Sequence, residues 1–410
     1  MRVVFTGQTG TEKSGVIQRL REHSLRKLGL SAGCDSEAAK RLIASYSIEQ
    51  TITPERDYFI KYLGYDSEAF QRDKWSQAMR HILDGIEAQK PEHCFLQMHS
   101  VYYRKGWYFN LIDPDLIREF HPDLFISLID DSFNMWKRVV VRDQNRHDMS
   151  YLRLRDIYVW RSVEVMMTDL LAREMVSRKT GEGAVIRPER PSSYIVAVKH
   201  PVGMLHNLLF ESETRLTVYF SVPITNIRNE KGNVTEVNDA IARLGEKFTL
   251  FSPLAIDERI LLNFLARDGR ESSGTLCVQA GDRWPLVPGE TYLQADVLPE
   301  DYPIVLDRAE VAEIATEIDQ QIRRRDYRLI DDCDCVIVYR PNWGGRLSRG
   351  VTAEVLYASQ HSGKVIPIHA FSPVSDTEAA RESPFDPDQA IVHQSLDSLI
   401  DGVSKIKKKL

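Results

Sequence analysis

At 410 residues, 43% apolar and 27% charged, the chain has the composition of a globular protein and the length for two or three domains rather than one core. Its formal charge of −6 gives no ground for a nucleic-acid binder, and the short basic runs at 323–325 and 407–409 read as solvated surface. No apolar stretch reaches the roughly 18–20 residues of a bilayer span, and the chain opens into a strand without the parts of a signal peptide. A cytoplasmic protein with no membrane partner is the expectation.

In chain order, the first 28 residues read as strand, loop and helix: RVVFT, GQTGTEKS, then GVIQRLREHSLRKL with apolar residues at helical spacing. Helical patterns follow at 68–88 and 150–177. Strands are expected in HCFLQMHS (93–100), DLFISLIDD (123–131) and YIVAVKHP (194–201), and a polar loop rich in Gly, Pro and Ser at 177–193. Alternating strands and helices imply a parallel α/β sheet.

A second α/β set begins with RLTVYFSVPIT (215–225), a strand running into a loop, followed by the helix EVNDAIARLGEK and the strand FTLFSP. Residues 254–305 read as an irregular insertion. One helix is expected over 308–330, then the strand CDCVIVYRP, a loop and helix in SRGVTAEVLYASQHSG, and KVIPIHA as the last strand. The polar tail from 372 ends in an amphipathic helix at about 389–409. The predicted fold class is therefore α/β, with two parallel-sheet, three-layer domains. They span 1–211 and 212–372, the latter with its insertion at about 254–305, and 373–410 forms the tail and its helix.

The cysteines, Cys34, Cys94, Cys277, Cys333 and Cys335, are odd in number and irregular in spacing, which argues against a disulfide framework. Cys333 and Cys335 are expected on one strand face as buried thiols.

Two stretches carry chemistry. In GQTGTEKS, Gly7, Lys13 and Ser14 stand at the spacing of the phosphate loop G-x-x-x-x-G-K-[ST], with Glu12 where the second glycine belongs. Such a loop aims backbone N–H groups at phosphate oxygens, while its Lys adds charge and its Ser a Mg²⁺ ligand. The variant with Gly7 and Gly10 resembles the loop of small nucleotide kinases of the adenylate-kinase type. That resemblance implies Mg²⁺ with ATP or GTP, Ser14 as metal ligand, and arginines that neutralise the phosphoryl group. Arg138, Arg142 and Arg155 are the candidates, with Arg153 and Arg161 nearby; surface ion pairs with neighbouring acids are the plainer reading. Glu12 adds a Cβ and a negative charge beside a polyanion. Either its carboxylate swings outward or pairs with Lys13, leaving a loop that binds with weakened catalysis, or the loop no longer holds a triphosphate.

The second stretch is RDYRLIDDCDCVIVYRP…LSRGVTAEVLYA…GKVIPI. It places Arg325-Asp326 before a strand led by Asp334, then Ser348-x-Gly350 and Glu354. With Tyr219 and Ser221 in VYFSVPITNIRNE and the proline of FTLFSP, this resembles the nucleoside 2-deoxyribosyltransferase superfamily over about 215–370. In particular it is similar to the 2′-deoxynucleoside 5′-monophosphate N-glycosidase branch. The resemblance implies a flavodoxin-like domain, catalytic Glu354, Asp326 and Tyr219, a substrate phosphate held by Ser348, Gly350 and Ser221, no cofactor at that site, and a homo-oligomer. Transferases of the superfamily carry Asp where Ser348 stands, so Ser348 tilts the reading to hydrolysis of a phosphorylated substrate. Arg346 and Arg349 flank the turn. A carboxylate nucleophile suits the oxocarbenium-like carbon formed when a glycosidic bond breaks.

The leading expectation is an enzyme that hydrolyses the N-glycosidic bond of a (deoxy)nucleoside 5′-phosphate, with small-molecule nucleotides as its partners. Two rivals are a nucleotide-sensing antiviral effector, in which the phosphate loop gates a glycosidase or NADase-like domain, and an active nucleotide kinase with a silent second domain.

Overall fold

The computed structural model describes every residue except 31–35, 53–66, 105, 143–151, 178–192, 229–230, 268–273, 280–281, 283, 286, 288–289, 294–302, 344–346, 380–389 and 407–410. Most of the loop expected at 177–193, together with Cys34, Arg346 and the side chain of Arg142, lies outside the described residues. The fold is α/β, with two five-stranded, all-parallel sheets flanked by helices. No helix among the described residues is long and apolar enough to cross a membrane.

The first sheet contains β1 (Arg2–Thr6), β2 (Ile43–Ser47), β3 (His93–Gln97), β6 (Leu124–Ile129) and β7 (Ser193–Ala197). An antiparallel hairpin, β4 (Tyr102–Arg104) with β5 (Trp107–Phe109), projects between the third and fourth of these. The spatial order is β2-β3-β1-β6-β7. The chain builds one side of β1 first and then crosses to the other, so the loop after β1 opens where ligand crevices form in such sheets. Val3, Val4 and Phe5 are all fully buried because both faces of the sheet are covered, as parallel strands require. Val3 and Phe5 pack with Val16, Ile17 and Leu20 of the helix Lys13–Lys27. Val4 packs the other way, against Trp75, Met79 and Ile82 of the helix Glu68–Gln89.

The second sheet contains β8 (Thr217–Ser221), β9 (Thr249–Phe251), β12 (Cys335–Tyr339), β13 (Ile368–Phe371) and β14 (Ile391–His393) in the order β9-β8-β12-β13-β14. Counted within this unit the order is 2-1-3-4-5, and its topological switch point lies between β8 and β12. One of its faces is covered by the helices Lys231–Lys247 and Leu396–Ser404, through Val237, Leu244, Leu399 and Val403. The other shares an apolar cluster with the first sheet: Tyr219, Phe251 and Val336 belong to the same cluster as Phe5 and Val196. Tyr194 of β7 stacks on Phe251 of β9 with centroids 6.0 Å apart.

Several elements differ from the sequence expectation. The strand β2 is new, a short edge strand with two serines among its five residues. The stretch read as irregular contains the helix Arg259–Arg267 and the antiparallel pair β10 (Thr275–Val278) and β11 (Ile304–Asp307). The helix expected over 308–330 is two, Arg308–Glu313 and Ala315–Asp331, broken at the buried Ile314. Helical periodicity runs through that break, so only packing reveals it. KVIPIHA is not the last strand, since β14 pairs beyond it along an edge where Ile391 and Val392 stay exposed.

Candidate functional site

Three residues of the loop after β1, Gly7, Gly10 and Glu12, have positive φ. Gly7 has φ 149°, and a Cβ there would stand 2.7 Å from the Leu128 carbonyl oxygen. Gly10 has φ 95°, with Val139 Cγ2 at 3.0 Å from the same hypothetical atom. Glu12 adopts φ 57° and ψ 38°, the left-handed conformation in which glycine is the ordinary choice. Glu12 thus holds a glycine-like conformation, at a backbone cost of about 1–2 kcal/mol.

Inside the loop, the Lys13 ammonium donates to the Gly7 carbonyl at 2.5 Å and lies 3.2 Å from His99 Nε2. Burial lowers its pKa, opposed by the charges of Glu49 and Glu164. The Ser14 hydroxyl and the Gln97 amide are hydrogen-bonded, with Gln97 Nε2 donating at 2.9 Å. Glu164, buried in the helix Leu154–Ser177, accepts from the backbone N–H groups of Gly7, Ser100 and Val101 at 3.1, 2.9 and 3.1 Å. Burial pushes its carboxyl up to about 7, although Lys13 and these three donors favour the charged form. A carboxylate thus braces the loop from beneath.

The arginines expected around a phosphoryl group part ways. Arg138 is buried and donates to the Gly10 carbonyl at 2.7 Å while pairing with Asp130 at 2.5 Å, so it clamps the loop. Arg155 is 56% exposed and faces Glu313 and Glu317 at 3.7 and 3.9 Å, so its ion pairs tie it to the helices of 308–331 instead of the loop. Arg161 is buried and forks onto Glu258 at 2.6 and 2.9 Å. Among the described residues, no group of three or more His, Cys, Asp or Glu side chains is arranged to hold a metal ion.

The second set converges at the switch point between β8 and β12. Ser221, the last residue of β8, donates from its hydroxyl to Glu354 Oε2. Glu354 lies on the helix Arg349–Leu356 after β12. Asp326, buried on the helix Ala315–Asp331, receives Arg325 Nε and Nη2 on its single oxygen Oδ1 at 3.1 and 3.0 Å. Burial first, and then the Asp326 charge, pushes the Glu354 carboxyl up to about 8; Ser221, Tyr219 and Arg325 act in the opposite direction. Asp326 is also raised by burial, despite Arg325. The buried Tyr219 hydroxyl lies beside Glu354 and favours its charged form, yet it falls short of regular hydrogen-bond geometry. Two buried carboxyls, both raised by burial and one raised further by the other's charge, can divide the roles of nucleophile and acid.

Glu354 is the sixth residue of its helix, whose first turn holds no acid, so the helix dipole does not account for it. One detail differs from the sequence reading. Cys333 lies in the turn before β12 and packs with Val336 and Val338, whereas Cys335 packs with Ile337 and Tyr339; both thiols are buried but do not share a face.

Ser348 is the N-cap residue of the helix Arg349–Leu356, and its side chain makes no capping hydrogen bond. Gly350 is exposed, and a Cβ there would meet nothing nearer than Ser348 Oγ at 3.7 Å. Asp334 has a structural task, accepting from Thr217 N and Oγ1 at 2.8 Å each and fixing the start of β12 to β8.

Glu164 and Glu258 escaped the sequence reading. The signal for Glu164 was available: it shares a helical phase with the buried Ile157, Trp160, Thr168 and Leu171. Compared with known proteins, the chain matches no protein-family model and no curated protein.

Proposed function

We propose that the chain hydrolyses the N-glycosidic bond of a (deoxy)nucleoside 5′-phosphate. The observation that carries this reading is the convergence of Glu354, Asp326, Tyr219 and Ser221 at the switch point of a 2-1-3-4-5 sheet. In the proposed reaction the Glu354 carboxylate attacks C1′, and the C1′–N bond breaks with its electron pair passing to the base. Asp326, as its acid, gives the departing base a proton. Asp326 then takes a proton from water as the water oxygen attacks C1′, which frees the sugar phosphate and restores both carboxyls. Ser221 and Tyr219 steady the charge on Glu354. Ser348, unengaged in capping, and Gly350 at the same helix N-terminus are the proposed seat of the 5′-phosphate.

The loop after β1 is proposed to hold a nucleoside triphosphate with Mg²⁺, through Lys13, Ser14 and the backbone between Gly7 and Lys13. The metal would screen phosphate charge, with Ser14 as its protein ligand. One observation favours a gating role for this loop. Gly10 is joined to Arg138, Arg138 to Asp130, the Asp130 carbonyl to Arg161, and Arg161 to Glu258 in the second half of the chain, with all four charged residues buried. Incubation with nucleoside monophosphates, triphosphates and NAD⁺, followed by chromatography for free base, tests the proposal. Base formation that requires Glu354 supports it, and no base from any nucleotide overturns it.

A further inference from the structure

A cavity of about 250 Å³ lies in the seam between the helix Leu154–Ser177, β7 and the helix Ala315–Asp331. It shares two residues with the candidate sites described above, Arg161 and Arg325. Its charged lining is Arg161, Arg324, Arg325 and Arg328 against the single acid Asp169. The lining holds four guanidinium groups against one acid, and the carboxylates that balance three of them also fix where they stand. Three of them are held in place from outside the lining. Arg161 is forked onto Glu258, Arg325 donates to Asp326, and Arg328 donates to Asp332 at 3.1 Å and also to Asp169 of the lining at 3.0 Å. These carboxylates fix the guanidinium planes in advance, which lowers the ordering cost of binding. The fourth, Arg324, is exposed. Ser193 adds a hydroxyl to the lining, itself bonded to Asp169 at 2.9 Å.

Size narrows the occupant. The cavity lies just below the range of about 300–1,000 Å³ typical for drug-sized ligands. A pyrophosphate or a sugar phosphate fits that scale better than a triphosphate. Arginine is the side chain suited to such a group, since its planar fork binds phosphate oxygens bidentately.

We propose that this cavity binds a small phosphorylated molecule through these arginines, and that its occupant competes with Asp326 for Arg325. The binding stands alone, whereas the consequence rests on the reading of Glu354 and Asp326 as a catalytic pair. Arg325 favours the charge on Asp326, which leaves the proton shared by the pair with Glu354. An anion that draws Arg325 toward the cavity moves that proton to Asp326, so Glu354 becomes the nucleophile and Asp326 the acid. The ligand is therefore an activator.

Calorimetric titration of the full chain with pyrophosphate tests the site, with Arg324→Glu and Lys13→Ala as variants. Arg324 is exposed, so its substitution leaves the packing intact. The expected result is one binding event that weakens roughly tenfold or more in Arg324→Glu and is unchanged in Lys13→Ala. Absence of binding to the unaltered chain overturns the proposal. So does affinity lost in Lys13→Ala and kept in Arg324→Glu, which would place the anion on the loop after β1. Base release measured with and without pyrophosphate separates the two readings. Binding with base release that pyrophosphate does not raise removes the activation. Binding with no base release under any condition removes the catalytic reading and leaves the cavity standing.

Discussion

The Ser221 hydroxyl donates to the Glu354 carboxyl, joining the end of β8 to the helix that follows β12 across the switch point of the second sheet. The two residues are 133 positions apart in the chain. Their contact defines the centre of the proposed site, and each prediction below perturbs that centre or the loop and ion pairs connected to it.

Base release should fall as pH rises past the Glu354 carboxyl's value of about 8, where the pair loses its shared proton and Asp326 has none to give. Removing the neighbouring charge in Asp326→Asn should lower the pH at which Glu354 ionises by about one unit. Removing the stabilising donor in Ser221→Ala should move it up. Initial rates from pH 5 to 9 check both directions, and shifts of the same sign in the two variants would count against the arrangement.

Stability should carry the same signature. The Glu354 carboxyl titrates near 4.5, as an ordinary glutamate does, when unfolded and about 8 when folded, so the folded chain holds the extra proton between those limits. Folding stability from this group is therefore full at acid pH and falls as pH rises toward 8, by about 1.4 kcal/mol per unit at most. Glu354→Gln lacks the effect. Its melting temperature relative to the unaltered chain should increase between pH 5 and pH 8.

Glu12→Gly should change stability little. Relief of the left-handed backbone gains about 1–2 kcal/mol, and the added freedom of glycine in the unfolded chain costs about 0.5–1 kcal/mol. Affinity for Mg·ATP should rise about tenfold, since a negative charge leaves the phosphate's vicinity. Titration calorimetry against Lys13→Ala measures this, and equal affinity in all three proteins would remove the loop from nucleotide binding.

Glu258→Gln strands the buried guanidinium of Arg161, at an expected cost of about 3–5 kcal/mol. The urea midpoint should fall sharply. The double change Arg161→Met with Glu258→Leu should recover much of that loss, because an apolar pair leaves no buried charge without its partner.

Much of this fold was legible because its central strands are continuous apolar runs: RVVFT, DLFISLI and CVIVY each follow from burial on both faces. The strands β2 and β14 escaped because β2 carries two serines among five residues and β14 is three residues long with Ile391 and Val392 exposed. In the second site, Glu354, Asp326, Tyr219 and Ser221 were legible by ordered motif, and their convergence follows from the sheet order. The ion pairs between the two halves were not legible. Arg161 and Glu258 are 97 residues apart, and each alone resembles an ordinary surface charge. Arg155 shows the converse, since it matched a motif position but makes exposed ion pairs with Glu313 and Glu317.

The central claim is that Glu354 forms a covalent bond to the sugar. Mass spectrometry of the chain quenched during turnover of a 2′-deoxynucleoside 5′-monophosphate tests it directly. The account predicts a mass increase equal to one deoxyribose phosphate less one water, carried by the peptide containing Glu354 and absent in Glu354→Gln. Free base released at an undiminished rate by Glu354→Gln, with no adduct on any peptide, would contradict it.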